Sequence, residues 1–466
     1  MTQTKFLIRK ITRNPYVLFL PFLLFYVCFI IINRVPTLHD DEVRYMEFAQ
    51  NLLKGFYSPP YPKINLWNGP GYPITIMPFA ALKVPVLYIT LFNALYLYLA
   101  VVFLYKALNL ITNYKIATLF SVILAIYPNV LSVLTMLYSE PLTYCLVSAM
   151  LYSTTLCFYK KKVRYLIASG AILGFLTLTK IIFGYVLILC LCTCLALILF
   201  KRYKSNYITS AKILAIAFAC TLPYLAYTYN ITGKVLYWGN SGGLSLYWMS
   251  SPFDYEYGDW KHPGLTNRQY PQFKFKAKEA TSQLKENHLN DIKFILRHNT
   301  LERDELYKQA AINYIKQHPF KFLQNYYYNF SRMLFNFPYS YAFQDAAIIR
   351  NIITGSLVLW STLACLILTV YNWRRTVYPV KLILLVTGVY LLLSGALSAY
   401  PRQLDVVIPV LLFWCGFVIA NTRKFNLKYT LEGQVAIDAG ELNAIYIPLP
   451  TKVKLATNNE KKENAE

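Results

Sequence analysis

Long apolar runs limit this chain to one class of fold before any other feature is considered. Segments near residues 16 to 33, 85 to 105, 116 to 136, 140 to 159, 165 to 180, 181 to 200, 210 to 229, 350 to 371, 377 to 398 and 404 to 420 are dominated by apolar side chains. About 20 such residues carry a helix across the hydrocarbon core of a bilayer. Lipid offers the backbone no hydrogen-bond partners, so only helices and closed barrels cross it, and uninterrupted runs of this length mean helices. The expected fold is therefore an all-α polytopic membrane protein with about ten transmembrane helices. Composition agrees: 56% of the 466 residues are hydrophobic and 15% are charged, which no ordinary soluble domain of this size needs.

The formal net charge is +24. The basic residues come in short clusters between apolar runs, without the stripe that tracks a nucleic acid. A membrane surface and an anionic lipid are the expected partners, and nucleic acid is not. Short loops rich in Lys and Arg stay in the cytoplasm. Lys5 to Arg13, Lys106 with Lys115, Lys160 to Arg164, Lys201 to Lys204, Arg374 with Arg375, and Arg423 with Lys424 all fall on one side if there are ten spans. Both termini are then cytoplasmic. The N-terminal charge order resembles a signal peptide, but no small-residue cleavage site follows, and the first run reads as a retained span.

This arrangement divides the chain into four parts: an N-terminal membrane module (1–229) with a first outer loop (34–84), a large outer region (230–349), C-terminal spans (350–420) and a cytoplasmic tail (421–466). The outer region begins with loop chemistry rich in Gly, Tyr, Trp and Pro up to residue 270. It then turns helical from 273 to 335, with Pro319 as punctuation and an aromatic second helix suited to the membrane interface. Residues 434–449 alternate weakly, as a small hairpin would, and the end of the tail has the composition of a disordered segment. All nine cysteines lie in apolar runs and read as packing residues.

The stretch HDDEVRYMEFAQNLLKG, 39 to 55, places acids at the front of an amphipathic helix directly after the first span. With Asp40 as N-cap, Asp41, Tyr45, Phe48 and Leu52 share one face and Arg44, Glu47, Asn51 and Lys54 the other, while Glu42 lies beside Met46, Ala49 and Leu53. Such a helix lies flat on the outer leaflet and aims Asp41, with Glu42 next to it, at the headgroup layer. Acids at a helix start are also explained by capping and the macrodipole, and the residues alone leave both readings open.

DEVRYMEFAQNLLKG resembles the first outer-loop motif of the GT-C glycosyltransferase superfamily, in the branch of protein O-mannosyltransferases and lipid A aminoarabinose transferases. Five further stretches resemble the same family in order: NGPGYPITIMPF, LYSEPLTYCLVSAML, GFLTLTKIIFGYVLIL, AINYIKQHPFKFLQNY and AYPRQLDVVIPVLLFW. The resemblance implies a GT-C fold and a transferase moving a sugar from a polyprenyl-phosphate donor to a lipid, glycan or protein acceptor at the outer face of the plasma membrane. Asp41 matches the catalytic Asp and would act as general base in an inverting displacement, with Glu42 orienting it or holding a divalent metal ion.

The lipid-phosphate leaving group calls for fixed cationic donors. Arg402 and Lys180, both at outer span ends, are the candidates. The aminoarabinose transferase branch has a Glu-Lys pair where this chain has Asn68 and Gly69, which leaves Arg44 and Lys63 as substitutes for the lysine. Tyr45, Asn68, Tyr72 and Glu140 are candidate substrate contacts. His39 and His262 are candidate metal ligands with Glu42. Two readings of another class compete: a transporter or flippase of a lipid-linked glycan, which needs ionisable residues near the midplane, and a non-catalytic assembly subunit.

Overall fold

Helices form along the apolar runs and stop where proline or a polar turn interrupts the ladder. The computed structural model describes residues 14–35, 37–200, 205–262, 277–341, 347–422, 427–429 and 435–437. The basic residues Lys5, Arg9, Lys10, Arg13, Lys201 to Lys204, Arg423 and Lys424 lie outside them, as does the polar end of the tail. After a turn at Pro15–Leu18 the order is α1 (Leu20–Asn33), α2 (Asp41–Leu53), α3 (Gly71–Ala81), α4 (Val86–Ile111), α5 (Tyr114–Ala125), α6 (Glu140–Lys160), α7 (Val163–Thr179), α8 (Ile182–Phe200) and α9 (Ser205–Thr232). There follow α10 (Gly242–Met249), α11 (Ala277–Ile295), α12 (Thr300–Gln317), α13 (Pro319–Phe335), α14 (Ala347–Tyr371), α15 (Tyr378–Gly395), α16 (Pro401–Asp405) and α17 (Ile408–Thr422). Two three-residue strands, β1 (Leu427–Tyr429) and β2 (Val435–Ile437), pair antiparallel with Lys428 opposite Ala436.

The protein is a multi-pass membrane protein. Six helices, α4, α6, α8, α9, α14 (over Asn351–Tyr371) and α15, are long and apolar enough to cross a bilayer. The other four expected spans correspond to α1, α5, α7 and α17, apolar helices of 12 to 17 residues, shorter than the usual crossing length. The run at 116 to 136 is not one helix. Pro128 holds Tyr127 extended (φ −65°, ψ 121°), because the residue before a proline is pushed out of the α region. The chain beyond it makes one short turn, Pro128–Ser132, on its way to α6. The run at 404 to 420 is likewise split, with α17 beginning only at Ile408, next to Pro409.

The core joins α4 to α6 and α17 through Leu97, Val101 and Leu104, Leu151 and Cys157, and Phe413 and Phe417. α7 lies against α9 because Gly170 and Gly174 face it: a Cβ at either would come within 2.5 to 2.6 Å of Ile216 or Cys220, the close approach that small residues four apart permit. All nine cysteines are free, with Cys190 and Cys194 buried and Cys192 between them exposed, as a helix spreads alternate residues around its axis.

Above the membrane helices, α10, α11 and α12 share a second core of Leu244, Tyr247, Trp248, Leu284, Ile292, Ile295 and Tyr307. Asn299 caps α12, its side chain accepting from the Leu301 and Glu302 amides. Pro319 separates α12 from α13 as expected. On α13, Phe320, Leu323 and Tyr327 are exposed at helical spacing, while the buried Arg332 donates to the carbonyls of Pro338 (2.8 Å) and Tyr257 and to Asn329 (2.6 Å).

Candidate active site at the start of α2

The two acids that open α2 separate at once into different roles. Glu42 is buried and faces inward. Its carboxylate pairs with Arg34 at the end of α1 and accepts from the Leu137 amide (2.7 Å) and the His39 amide (3.0 Å). Arg34 also donates to the Thr135 carbonyl (2.7 Å). Glu42 therefore ties α1, α2 and the approach to α6 together, and it does not reach the space in front of Asp41. Asp40 is not the side-chain cap that its position suggests: it has φ 45° and makes no capping hydrogen bond. The Glu42 carboxylate reaches back to the His39 amide, ahead of the helix.

Asp41 faces outward between two guanidinium groups. One carboxylate oxygen pairs with Arg44 and the other accepts from Arg402 Nη1 at 3.1 Å. The helical wheel placed Arg44 on the opposite face. Residues three apart are nevertheless neighbours, and the long side chain reaches back. Arg44 Nε also donates to Asn68 Oδ1 (2.7 Å), and its guanidinium lies 5.5 Å from the Trp67 ring centre. Asn68 Nδ2 donates to the Tyr45 hydroxyl (3.2 Å), which meets Ser139 Oγ at 3.0 Å. Burial pushes the Tyr45 phenol up, and the carboxylates of Glu140 and Asp41 add to this, so the hydroxyl stays neutral. Asn51, expected on the wet face, is buried and donates to the Tyr57 carbonyl.

Lys180 enters from the end of α7. Its backbone leaves the helix (φ −126°, ψ 92°) before α8 begins, and Nζ meets Glu140 Oε1 at 2.8 Å. Because Glu140 starts α6 and Lys180 follows α7, this pair stands at the same end of the bundle as Asp41. The segment around Asn68 is pressed against this break: a Cβ on Gly69 would lie 2.0 Å from the Leu178 carbonyl oxygen. A lysine therefore does not fit where the sequence has Gly69, and Arg44, held by Asn68, brings the positive charge instead.

Two cavities meet at Asp41. The smaller, ≈ 190 Å³, is lined by Asp41, Tyr45, Asn68, Lys180, Tyr390 and Arg402 among others. The larger, ≈ 680 Å³, opens toward the outer layer past Asp40, Arg44, Trp67, Trp260 and His262, and shares Asp41 and Arg402 with the first. Of the candidates read from sequence, Asp41, Arg44, Tyr45, Asn68, Lys180, Arg402 and His262 line one cavity or both. Glu140 stands behind Lys180, and Tyr72 is buried with its ring 5.0 Å from that of Tyr45. Lys63 is exposed and lines neither cavity. Gln403, Ser245, Ser398 and Trp260 also line the site. Gln403 follows Arg402 in the AYPRQ stretch, whereas Ser245, Ser398 and Trp260 come from separate segments outside the quoted motifs.

The candidate metal ligands do not converge. His39 Nε2 meets Thr37 Oγ1 at 2.8 Å, Glu42 is occupied by Arg34 and two amides, and His262 lines the outer cavity. Among the described residues no three His, Cys, Asp or Glu side chains form a metal-binding group. With both Asp41 oxygens on guanidinium groups, this donor set does not fit a divalent ion.

No family model matches the sequence, and neither does any curated protein sequence. Among solved structures, the chain is similar to the oligosaccharyltransferase AglB of Archaeoglobus fulgidus, in complex with an inhibitory peptide and a dolichol-phosphate (13% identity, TM-score 0.45, 86% of this chain and 50% of that one). An Archaeoglobus fulgidus oligosaccharyltransferase tethered with an acceptor peptide gives 13% identity and a TM-score of 0.48, over 86% of this chain and 49% of that one. ArnT of Cupriavidus metallidurans bound to undecaprenyl phosphate gives 14% identity and a TM-score of 0.37, over 87% and 76%. The chain spans about half the length of these two oligosaccharyltransferase chains.

Proposed function

We propose that the protein is a glycosyltransferase that takes a sugar from a polyprenyl-phosphate donor and places it on a lipid, glycan or protein acceptor at the outer face of the plasma membrane. Both termini are then cytoplasmic. The observation that carries this reading is the Asp41–Arg402 contact (3.1 Å) in a cavity that also holds Lys180, at one end of the helical bundle. A carboxylate and two cations in one small cavity are the groups that displacement of a phosphate requires.

In this mechanism the donor phosphate binds Arg402 and Lys180, since charge-assisted hydrogen bonds to phosphate are strong. Arg402 then turns from Asp41 to the phosphate, and the freed carboxylate oxygen accepts the proton of the acceptor hydroxyl. The acceptor oxygen bonds to the anomeric carbon as the bond from that carbon to the phosphate oxygen breaks, which inverts the centre. The leaving phosphate carries the charge and the two cations stabilise it. Arg44 keeps its hold on the other Asp41 oxygen and on Asn68, and so fixes the direction of the base. No step passes through a metal ion.

The test is mass spectrometry of polyprenyl-linked lipids in cells lacking the native protein and supplied with wild type or Asp41→Asn. Accumulation of one polyprenyl monophosphate sugar with the variant alone supports the transferase and names the sugar. Identical lipid profiles from a folded variant would remove Asp41 from the chemistry.

A further inference from the structure

The end of the bundle opposite Asp41 holds a cavity of ≈ 600 Å³ between α8, α9, α14, α15 and α17. Leu197, Leu366, Leu385 and Trp414 give it apolar walls, and Trp373, Tyr378 and Lys381 line it around the start of α15. Its position follows from chain direction. α8 and α14 run away from the site and end at Phe200 and Tyr371, and α15 starts back at Tyr378. The cavity therefore extends from that membrane surface toward the middle of the bundle. Leu366, Ile367 and Val370 on α14 are exposed, as expected of a helix that borders lipid.

Charge is strongly one-sided here. There is no Asp or Glu between Glu140 and Asp254, between Asp345 and Asp405, or between Asp405 and Glu432. All five walls come from these acid-free stretches. Lys381 Nζ lies 5.0 Å from the Trp373 ring centre and 4.8 Å from that of Tyr378. It has no carboxylate partner among the described residues. Arg374 and Arg375 are exposed on the turn that leads into α15. A lysine held by two aromatic rings above a deep apolar space matches a ligand with an anionic head and a hydrocarbon tail.

We propose that this cavity is a binding site for one anionic phospholipid of the adjacent leaflet, its phosphate on Lys381 and an acyl chain between α14 and α15. The inference is independent of the proposed reaction. A polyprenyl donor is a poorer occupant, since its phosphate would lie at the surface away from Asp41.

Native mass spectrometry of the full-length protein tests this after exchange into micelles containing equal phosphatidylglycerol and phosphatidylcholine. The wild type retains one phosphatidylglycerol in preference to phosphatidylcholine, and Lys381→Glu lowers its occupancy about tenfold, as expected for reversal of a single surface charge. Equal retention of both lipids by the wild type would overturn the proposal even if the variant cannot be purified. So would unchanged retention by Lys381→Glu or Lys381→Gln, or displacement of the bound lipid by added polyprenyl monophosphate.

Discussion

Arg402 donates to the Asp41 carboxylate at 3.1 Å across 361 residues of chain. The start of α2 and the start of α16 therefore meet in one ion pair, with about half of the Arg402 side chain still open to the cavity. An exposed pair of this kind adds little to stability, and in the proposed mechanism its guanidinium turns to the donor phosphate.

Arg402→Ala is expected to lower turnover by about 10² to 10³, the usual effect of removing one fixed donor from a developing oxyanion. Arg402→Lys recovers only part of this, because an ammonium group cannot reproduce the planar fork. Release of polyprenyl phosphate by purified protein is the measurement, with unfolding in detergent as the control. Unchanged turnover in Arg402→Ala would mean that the phosphate is held elsewhere.

Glu42→Ala is expected to destabilise the protein, whereas Asp41→Ala leaves stability nearly unchanged. Removing one partner of a buried ion pair costs about 3 to 5 kcal/mol, and the change would also orphan the Leu137 and His39 amides. Thermal unfolding of the two variants side by side decides this. Equal unfolding temperatures would contradict the clamp assigned to Glu42.

Chelation is expected to leave activity unchanged. Cations from the chain already cover both oxygens of Asp41 and pair with Glu42. Turnover in excess EDTA, compared with added Mg²⁺ or Mn²⁺, checks it, and a loss restored by either metal would refute the metal-free mechanism.

Gly69→Ala is expected to reduce activity through Lys180. The added methyl meets the Leu178 carbonyl, and overpacking of this kind costs about 1 to 3 kcal/mol and shifts the backbone. The break after α7 that aims Lys180 moves with it. Activity falling as strongly as in Lys180→Ala supports this, and a fully active Gly69→Ala protein does not.

Acid is expected to loosen the 250–262 segment of the outer layer first. Burial opposes charge on Glu256, but hydrogen bonds from His288, Ser251 and Asn287 outweigh it and hold its pKa below the ordinary 4.5. Burial of Asp259 is likewise outweighed by Lys261 and Arg332, which hold it below 3.8. A depressed carboxyl means that the unfolded segment binds more protons. Its stabilisation is then present above these ordinary values and is lost as pH falls through the lower folded ones. Asp304 on α12 is raised, chiefly by burial, and acts in the opposite sense, so the effect is local to the segment. Hydrogen exchange there should accelerate below about pH 4, and a flat profile would show that these pairs contribute nothing.

Much of the membrane architecture and the helix that Asp41 opens were legible in sequence, because both rest on local signals. Apolar length alone decides whether a segment enters lipid. An Asp-Glu pair opening an amphipathic helix can be placed from spacing that one segment carries. Local rules fail where a residue meets a distant partner. Pro128 split a run that hydrophobicity treats as continuous. Asp40 sits where a cap belongs, yet its side chain makes no capping bond. Arg44 and Asn51 were assigned to water by a wheel that knows only azimuth, whereas Asp41, Asn68 and the Tyr57 carbonyl draw them inward.

The division has a physical basis. Burial in lipid and helix periodicity are properties of a dozen or so neighbouring residues, and they are written along the chain. Which carboxylate clamps and which one faces the cavity depends on Arg34, Leu137 and Arg402, side chains and amides up to 361 residues away. Ion pairs act over a few ångströms of space whatever the separation in sequence, so only the packed helices decide that Glu42 holds the structure and that Asp41 faces the cavity.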